Sequence, residues 1–265
     1  MPFDQVIPVA GFPIIRTNAS SLADFLLEQV AARRKTALFF ANTNFIVQCR
    51  HLLDAMQRDD VTIVNDGIGL DIAVRFINRN SFNENLCGSD FIPYFFSRSN
   101  QSLRVFMLGS KPEVLDDAAR YAHEVLGQTV VGKCDGYMEL RSTANLIDRI
   151  NRTQAEVVLV AMGNPIQEEW IIRNFDGLRA NVIMGVGALF DFWSGRTPRA
   201  PHLMRRLRLE WLFRLCLEPR RLLKRYTLDY YRFLMFCHRS RTIDSQSAPA
   251  SASDRQDWQE PPGRA

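Results

Sequence analysis

The chain has 265 residues, 46% of them hydrophobic and 23% charged, which suits one large α/β domain with an appendage and excludes a wholly disordered chain. Its formal charge of +4 conceals an asymmetry: between Arg199 and Arg241, eleven arginines and one lysine face only Glu210, Glu218 and Asp229, so a region of +9 is joined to a body of −5. Such a distribution points to an anionic partner, whether nucleic acid, a membrane surface or a phosphorylated substrate, while no uncharged run reaches the ~20 residues needed to cross a bilayer.

The opening stretch MPFDQVIPVAGFP carries an early acid and no basic segment before an apolar core. It does not read as a secretory signal, and a cytoplasmic protein is expected. Val6 to Val9 and Ile14 to Ile15 predict a short strand pair around Gly11 and Pro13. A helix follows from about Ser20 to Arg33, capped by Ser20 or Ser21, then a strand at Ala37 to Ala41 and a helix from about Phe45 to Gln57. In Val61 to Asp71, VTIVNDGIGLD, a β-branched run suited to a strand buried on both faces ends at Asn65, Asp66 and Gly67. Ile68, Ile72 and Phe76 then recur at helical spacing.

Further helices are predicted over Asp90 to Ser97, Glu113 to Leu126 and Thr143 to Asn151. Strands are predicted at Leu103 to Leu108, near Val130, at Val157 to Ala161 and at Val182 to Met184. This alternation implies an α/β fold, a Rossmann-like, mostly parallel sheet covered by helices and joined by right-handed crossovers. Beyond Pro201 an arginine-studded, aromatic-rich helical region runs to Arg241. Residues 242–265, rich in Ser, Ala and Pro, bury too little to offset the entropy of ordering and read as a disordered tail. The expected organisation is therefore a catalytic domain over 1–200, a basic helical appendage over 201–241 and a tail over 242–265.

Chemistry enters through the strand ends. Asn42, Thr43 and Asn44 follow one strand, Asp66 and Gly67 another, Gly109 and Ser110 a third, Gly163, Asn164, Pro165 and Gln167 a fourth, and Gly185 and Gly187 a fifth. In open α/β sheets ligands bind beyond the carboxyl ends of the strands, where glycine lets a ligand approach the backbone and the amides of a following helix can hold phosphate oxygens. Asp66 stands there either as a catalytic base or as the cap of the helix that follows. Gly185-Val186-Gly187 lacks the third glycine of a dinucleotide fingerprint and comes late in the chain, and no P-loop is present, so neither a nicotinamide cofactor nor any other is expected. Asp59-Asp60 and Asp116-Asp117 do not form a metal pair, and the four histidines show no ligand spacing; no metal is implied. Cys49, Cys87, Cys134, Cys216 and Cys237 include no CxxC and argue against both a disulfide framework and a zinc site.

The segments NDGIGLD (65–71), CGSDF (87–91), VFMLGSKPEV (105–114), DGY (135–137), GNPIQEEW (163–170), GVGALFDFWSG (185–195), RAP (199–201), LEWLFRL (209–215) and EPRRLLKRY (218–226) resemble the WecG/TagA/CpsF glycosyltransferases. The resemblance spans about residues 36–230. It implies inverting transfer from a UDP-sugar to a saccharide on a polyprenyl diphosphate lipid at the inner face of the bacterial membrane. It further implies that Asp66 is the general base and that Asn44 matches an asparagine near the acceptor pocket, Asn42 standing where many members carry Thr. Gln167 and Glu168 match a pair expected near the nucleotide sugar, and Arg214, Arg221 and Arg225 match basic residues that close over the diphosphate. Some members use UDP-N-acetylmannosamine-type donors, whereas others transfer glucose in exopolysaccharide assembly. NTNF (42–45) and NPIQEEW (164–170) are closer to the second, GumM-like type, so glucosyl transfer is expected. The rival from another class is a non-catalytic basic protein that binds nucleic acid or membrane, although no nucleic-acid module is recognisable. Aromatic residues among the arginines from about Thr227 to Arg241 predict contact with anionic lipid.

Overall fold

The structure, a computed structural model, describes residues 5–136, 143–201, 203–204, 209–217 and 219–247. Eight strands form one sheet: β1 (Val6–Val9), β2 (Phe12–Ile15), β3 (Thr36–Ala41), β4 (Val61–Asn65), β5 (Arg104–Gly109), β6 (Thr129–Cys134), β7 (Val157–Ala161) and β8 (Val182–Gly185). Their spatial order is β1-β2-β4-β3-β8-β7-β5-β6, antiparallel only between β1 and β2. Every residue of β3, β4, β7 and β8 is buried, the pattern of strands covered on both faces.

The pleat sorts the side chains into two layers. Ala37, Phe39 and Ala41 join one apolar cluster with Phe45, Ile46, Trp170, Ile171 and Phe175. Leu38 and Phe40 turn to the other, which contains Leu22, Leu26, Phe91, Phe95, Leu115 and Phe190. The helices supplying these layers are α1 (Ala19–Ala31), α2 (Thr43–Gln48), α3 (Ile68–Ala73), α4 (Gly88–Arg98), α5 (Pro112–Glu124), α6 (Thr143–Arg152), α7 (Ile166–Asn174) and α8 (Leu189–Trp193).

Several local expectations change. The cap of α1 is Asn18, not Ser20 or Ser21: its extended backbone lets the side chain accept from Ser21 N at 2.9 Å. The helix predicted over 45–57 stops at Gln48 and continues as two 3₁₀ turns, Arg50–Leu52 and Asp54–Met56. The break lets Arg50 donate to the Ala10 carbonyl and Met56 enter the core. The stripe Ile68, Ile72, Phe76 does not face inward. After six residues α3 widens into a π turn, Val74–Asn78, which puts Leu70, Ala73 and Val74 in the core and leaves Ile72 39% and Phe76 77% exposed.

Further helices among the described residues are α9 (Glu210–Leu217), α10 (Pro219–Lys224) and, after the π turn Arg225–Asp229, α11 (Tyr230–Ser247). Helix α11 runs six residues past the predicted end at Arg241, because extending a formed helix costs less than starting one. It lies against α2, with Phe233 and Cys237 buried in the first cluster and Tyr230 and Phe236 packed on it. Of the four aromatic residues expected at lipid, Phe233 thus belongs to the core, Tyr230 and Phe236 pack on it, and only Tyr231 is exposed. The expected tail lies outside the described residues from 248 onward.

Candidate active site

Register aligns the carboxyl ends of the central strands: Ala41 pairs with Asn65, Val160 with Gly185, and Gly109 with Ala161. The segments named above for Asn42, Asp66, Gly109, Gly163 and Gly185 therefore stand along one rim. Asp66 is half-buried there, and its backbone is held from several sides. Its own N–H donates to the Ala41 carbonyl at 2.7 Å, and Gly67 N donates to Asn85 Oδ1 at 2.5 Å. Asn65, wholly buried, donates through Nδ2 to Asp71 Oδ1 at 3.1 Å and to the Glu84 carbonyl at 2.9 Å. The cap position of α3 is Gly67, at φ 98°, and Asp66 directly precedes it. Glycine is required there, because φ 98° with ψ 153° is a region essentially closed to L side chains, at a cost of order 1–3 kcal/mol.

Around Asp66 lies a charged cluster the sequence did not reveal. Burial, then the charges of Asp66, Glu210 and Asp90, push the Cys87 thiol up, which puts these three carboxylates around one side chain. Arg199 threads between them. It donates to Asp90 Oδ1 at 2.7 Å and to the Ser89 carbonyl at 3.3 Å, approaches Glu210 at 3.6 Å, and lies over the Phe192 ring at 5.5 Å. Burial works against its charge, but the hydrogen bond to Asp90 and the charges of Asp90 and Glu210 prevail and raise its pKa. Arg199 Nε and Nη2 are enclosed without a hydrogen-bond partner among the described residues. The motifs CGSDF, RAP and LEWLFRL each hold one member of this cluster, but spacing along the chain could not bring them together. The backbones of Arg214, Arg221 and Arg225 lie in α9, α10 and the π turn; their side chains lie outside the described residues.

On one side of Asp66, Asn42 caps α2, its Oδ1 accepting from Phe45 N at 3.1 Å, and Thr43 and Asn44 form the first turn. Thr43 and Tyr230 of α11 both lie against Gly69. On the other side, Gly109 adopts φ 113° where a Cβ would overlap the Ala161 carbonyl, so a larger residue would force β5 and β7 apart. Gln167 and Glu168 are buried at 3% and 1% exposure, behind the turns at Gly163 and Gly187 rather than on the open rim. The helices after β3, β4 and β8 have five or six residues, and α3 runs on into the π turn. Among the described residues no group of three or more His, Cys, Asp or Glu could hold a metal ion. A cavity of about 620 Å³ lined by Arg33, Arg104, Arg152 and Arg179 lies at the amino ends of the strands, at the other end of the sheet from Asp66.

A parallel sheet with a carboxylate held at its carboxyl rim and a guanidinium nearby is the frame of a group-transfer enzyme. The sequence model of the glycosyl transferase WecG/TagA/CpsF family matches residues 7–247. The chain belongs to that family, and the protein is a glycosyltransferase. It is 28% identical over 235 residues to the N-acetylglucosaminyldiphosphoundecaprenol N-acetyl-beta-D-mannosaminyltransferase of Bacillus subtilis (strain 168), covering 86% of this chain and 90% of the relative. No helix among the described residues is long and apolar enough to cross a membrane.

Proposed function

We propose that the enzyme transfers a sugar with inversion from a UDP-sugar to a saccharide carried on a polyprenyl diphosphate, with Asp66 as the base. The observation that carries this reading is the rim position of Asp66, half-buried and held through its own N–H and through Gly67 N. In the step, Asp66 takes the proton of the acceptor hydroxyl. The hydroxyl oxygen bonds to the anomeric carbon as the bond from that carbon to the diphosphate oxygen breaks, and UDP leaves with the electron pair. Positive charge must offset the diphosphate. Arg214, Arg221 and Arg225 are assigned that task, and Arg199 orders the neighbouring carboxylates. Asn42, Thr43, Asn44 and Gly67 border the acceptor side, and Gly109, Gly163, Gly185 and Gly187 the donor side.

The name of the Bacillus subtilis relative supports an N-acetylmannosaminyl donor rather than the glucosyl transfer expected from NTNF and NPIQEEW, and N-acetylglucosamine on the lipid diphosphate as acceptor. Leu203, Trp211, Leu217, Leu223, Leu228, Tyr231 and Leu234 are exposed on the basic C-terminal segment. They support docking on an anionic membrane surface, the face at which a lipid-linked acceptor is presented. The decisive assay offers the purified enzyme UDP-N-acetylmannosamine and UDP-glucose with a short-chain, soluble lipid-diphosphate N-acetylglucosamine. Transfer from the first is expected; transfer from UDP-glucose alone would restore the exopolysaccharide reading. A thermal shift with UDP, without tight binding to DNA, separates the enzyme from the nucleic-acid rival.

A further inference from the structure

Behind the donor side of the rim lies a polar cluster built from four side chains on three segments. Gln167 Oε1 accepts from Gly163 N at 3.1 Å and from Gly187 N at 3.0 Å, so one amide ties the turn after β7 to the turn after β8. Its Nε2 donates to Glu168 Oε1 at 2.7 Å, and Asn164 Nδ2 donates to the same oxygen at 2.7 Å. Both ends of the Gln167 amide are therefore engaged, and a flipped amide would set its Nε2 against two N–H donors. Glu168 Oε2 is enclosed and has no hydrogen-bond partner among the described residues. Burial, opposed by the bonds from Gln167, Cys49 and Asn164, raises the Glu168 carboxyl to about 7. Cys49, at the end of α2, is in turn pushed up by burial and by Glu168, so it stays a thiol.

We propose that Gln167 and Glu168 are positioning residues, which hold the turns at Gly163 and Gly187 in one arrangement without touching the donor. The role of those turns as the donor side rests on the function proposed above; the brace itself does not. Gln167 spaces the two turns. Glu168, as a neutral acid, fixes the Gln167 amide: its carbonyl oxygen accepts two N–H groups, and its other oxygen carries a proton that an enclosed carboxylate would lack. The titratable group facing it from another element is Cys49. Glu169, next on α7, is turned outward to His51 Nε2 at 2.9 Å, and the strand ends contribute only the uncharged Gly163, Asn164, Gly185 and Gly187.

The folded carboxyl binds its proton more tightly than the unfolded one, from 4.5 to about 7. Its contribution to stability is complete below pH 4.5 and is lost as pH rises through 7. Above neutrality the bonds from Gln167 and Asn164 tighten on the ionised carboxylate, but its enclosed second oxygen lacks a partner among the described residues, so an opening of the turns that lets water reach Glu168 becomes easier.

The test reads amide hydrogen exchange at Gly163 and Gly187 in the ligand-free enzyme, corrected for the intrinsic pH dependence. In the unsubstituted protein, protection at both amides is expected to fall roughly tenfold between pH 6 and pH 8.5, with the amides of β7 and β8 unchanged. Glu168→Gln should abolish that fall. Gln167→Met should remove the protection at both pH values and weaken UDP binding. Protection that ignores pH in the unsubstituted protein overturns the role of Glu168 without any variant having to fold. Gln167→Met that loses UDP binding while both amides stay protected makes Gln167 a direct donor contact and overturns the brace. If the unsubstituted enzyme binds no UDP at all, the proposed function fails, and the exchange data still decide the brace.

Discussion

Replacing Phe233 with alanine tests whether α11 is part of the folded body or an attachment to it. Phe233 is 0% exposed, its ring lies 5.9 Å from that of Tyr230, and it belongs to the cluster that holds Phe45, Ile46 and Cys49 of the α2 region. Removing a buried phenylalanine loses its transfer free energy and leaves a cavity that neighbours fill only in part, together about 3–5 kcal/mol. For a chain of this length that is a fall in Tm of roughly 6–20 °C. Tyr231, next in the helix and 64% exposed, is the control, and Tyr231→Ala should change stability by less than about 0.5 kcal/mol. Urea unfolding of the purified variants, without lipid or detergent, measures both. Equal, small effects at the two positions would refute the packing argument and mean that α11 contributes nothing to the body. Truncation at Thr227 should likewise destabilise the enzyme, even in an assay with a soluble acceptor, because it strips Phe233 and Cys237 from the core.

Asp66→Asn should leave folding and UDP affinity nearly intact while lowering turnover by a factor on the order of 10² to 10⁴, since it removes proton acceptance without removing bulk; near-normal turnover would end its assignment as base. Gly109→Ala should lower stability in urea unfolding more than Gly67→Ala, because both carry a backbone term of order 1–3 kcal/mol but only the first sets its added carbon against the Ala161 carbonyl. Combined Leu223→Ser, Leu228→Ser and Tyr231→Ser, all exposed, should weaken sedimentation with anionic vesicles while leaving Tm within a few degrees. Undiminished vesicle binding would move the membrane contact elsewhere.

Local pattern was enough to locate the strands and the rim. β-Branched runs bounded by Gly and Asn located β4, β7 and β8 within a residue, because a strand buried on both faces leaves an unbroken apolar run that nothing else of that length resembles. It also placed Asp66 after a strand, since a turn signal and a change of periodicity are local. Periodicity failed at Ile72 and Phe76, where a π turn rotated the stripe out of the core, and at residues 45–57, where the Arg50 bond to Ala10 and the burial of Met56 favour two short turns over one helix. Only the tertiary structure brought Asp90, Arg199 and Glu210 together beside Asp66, or joined Cys49 to Glu168 across 119 positions. Whether Gln167 faces solvent or braces two turns, and whether Phe233 meets lipid or core, depends on which surfaces the fold buries against each other. Burial and hydrogen-bond pairing between distant segments are properties of the packed chain, and they carry no local pattern from which to read them.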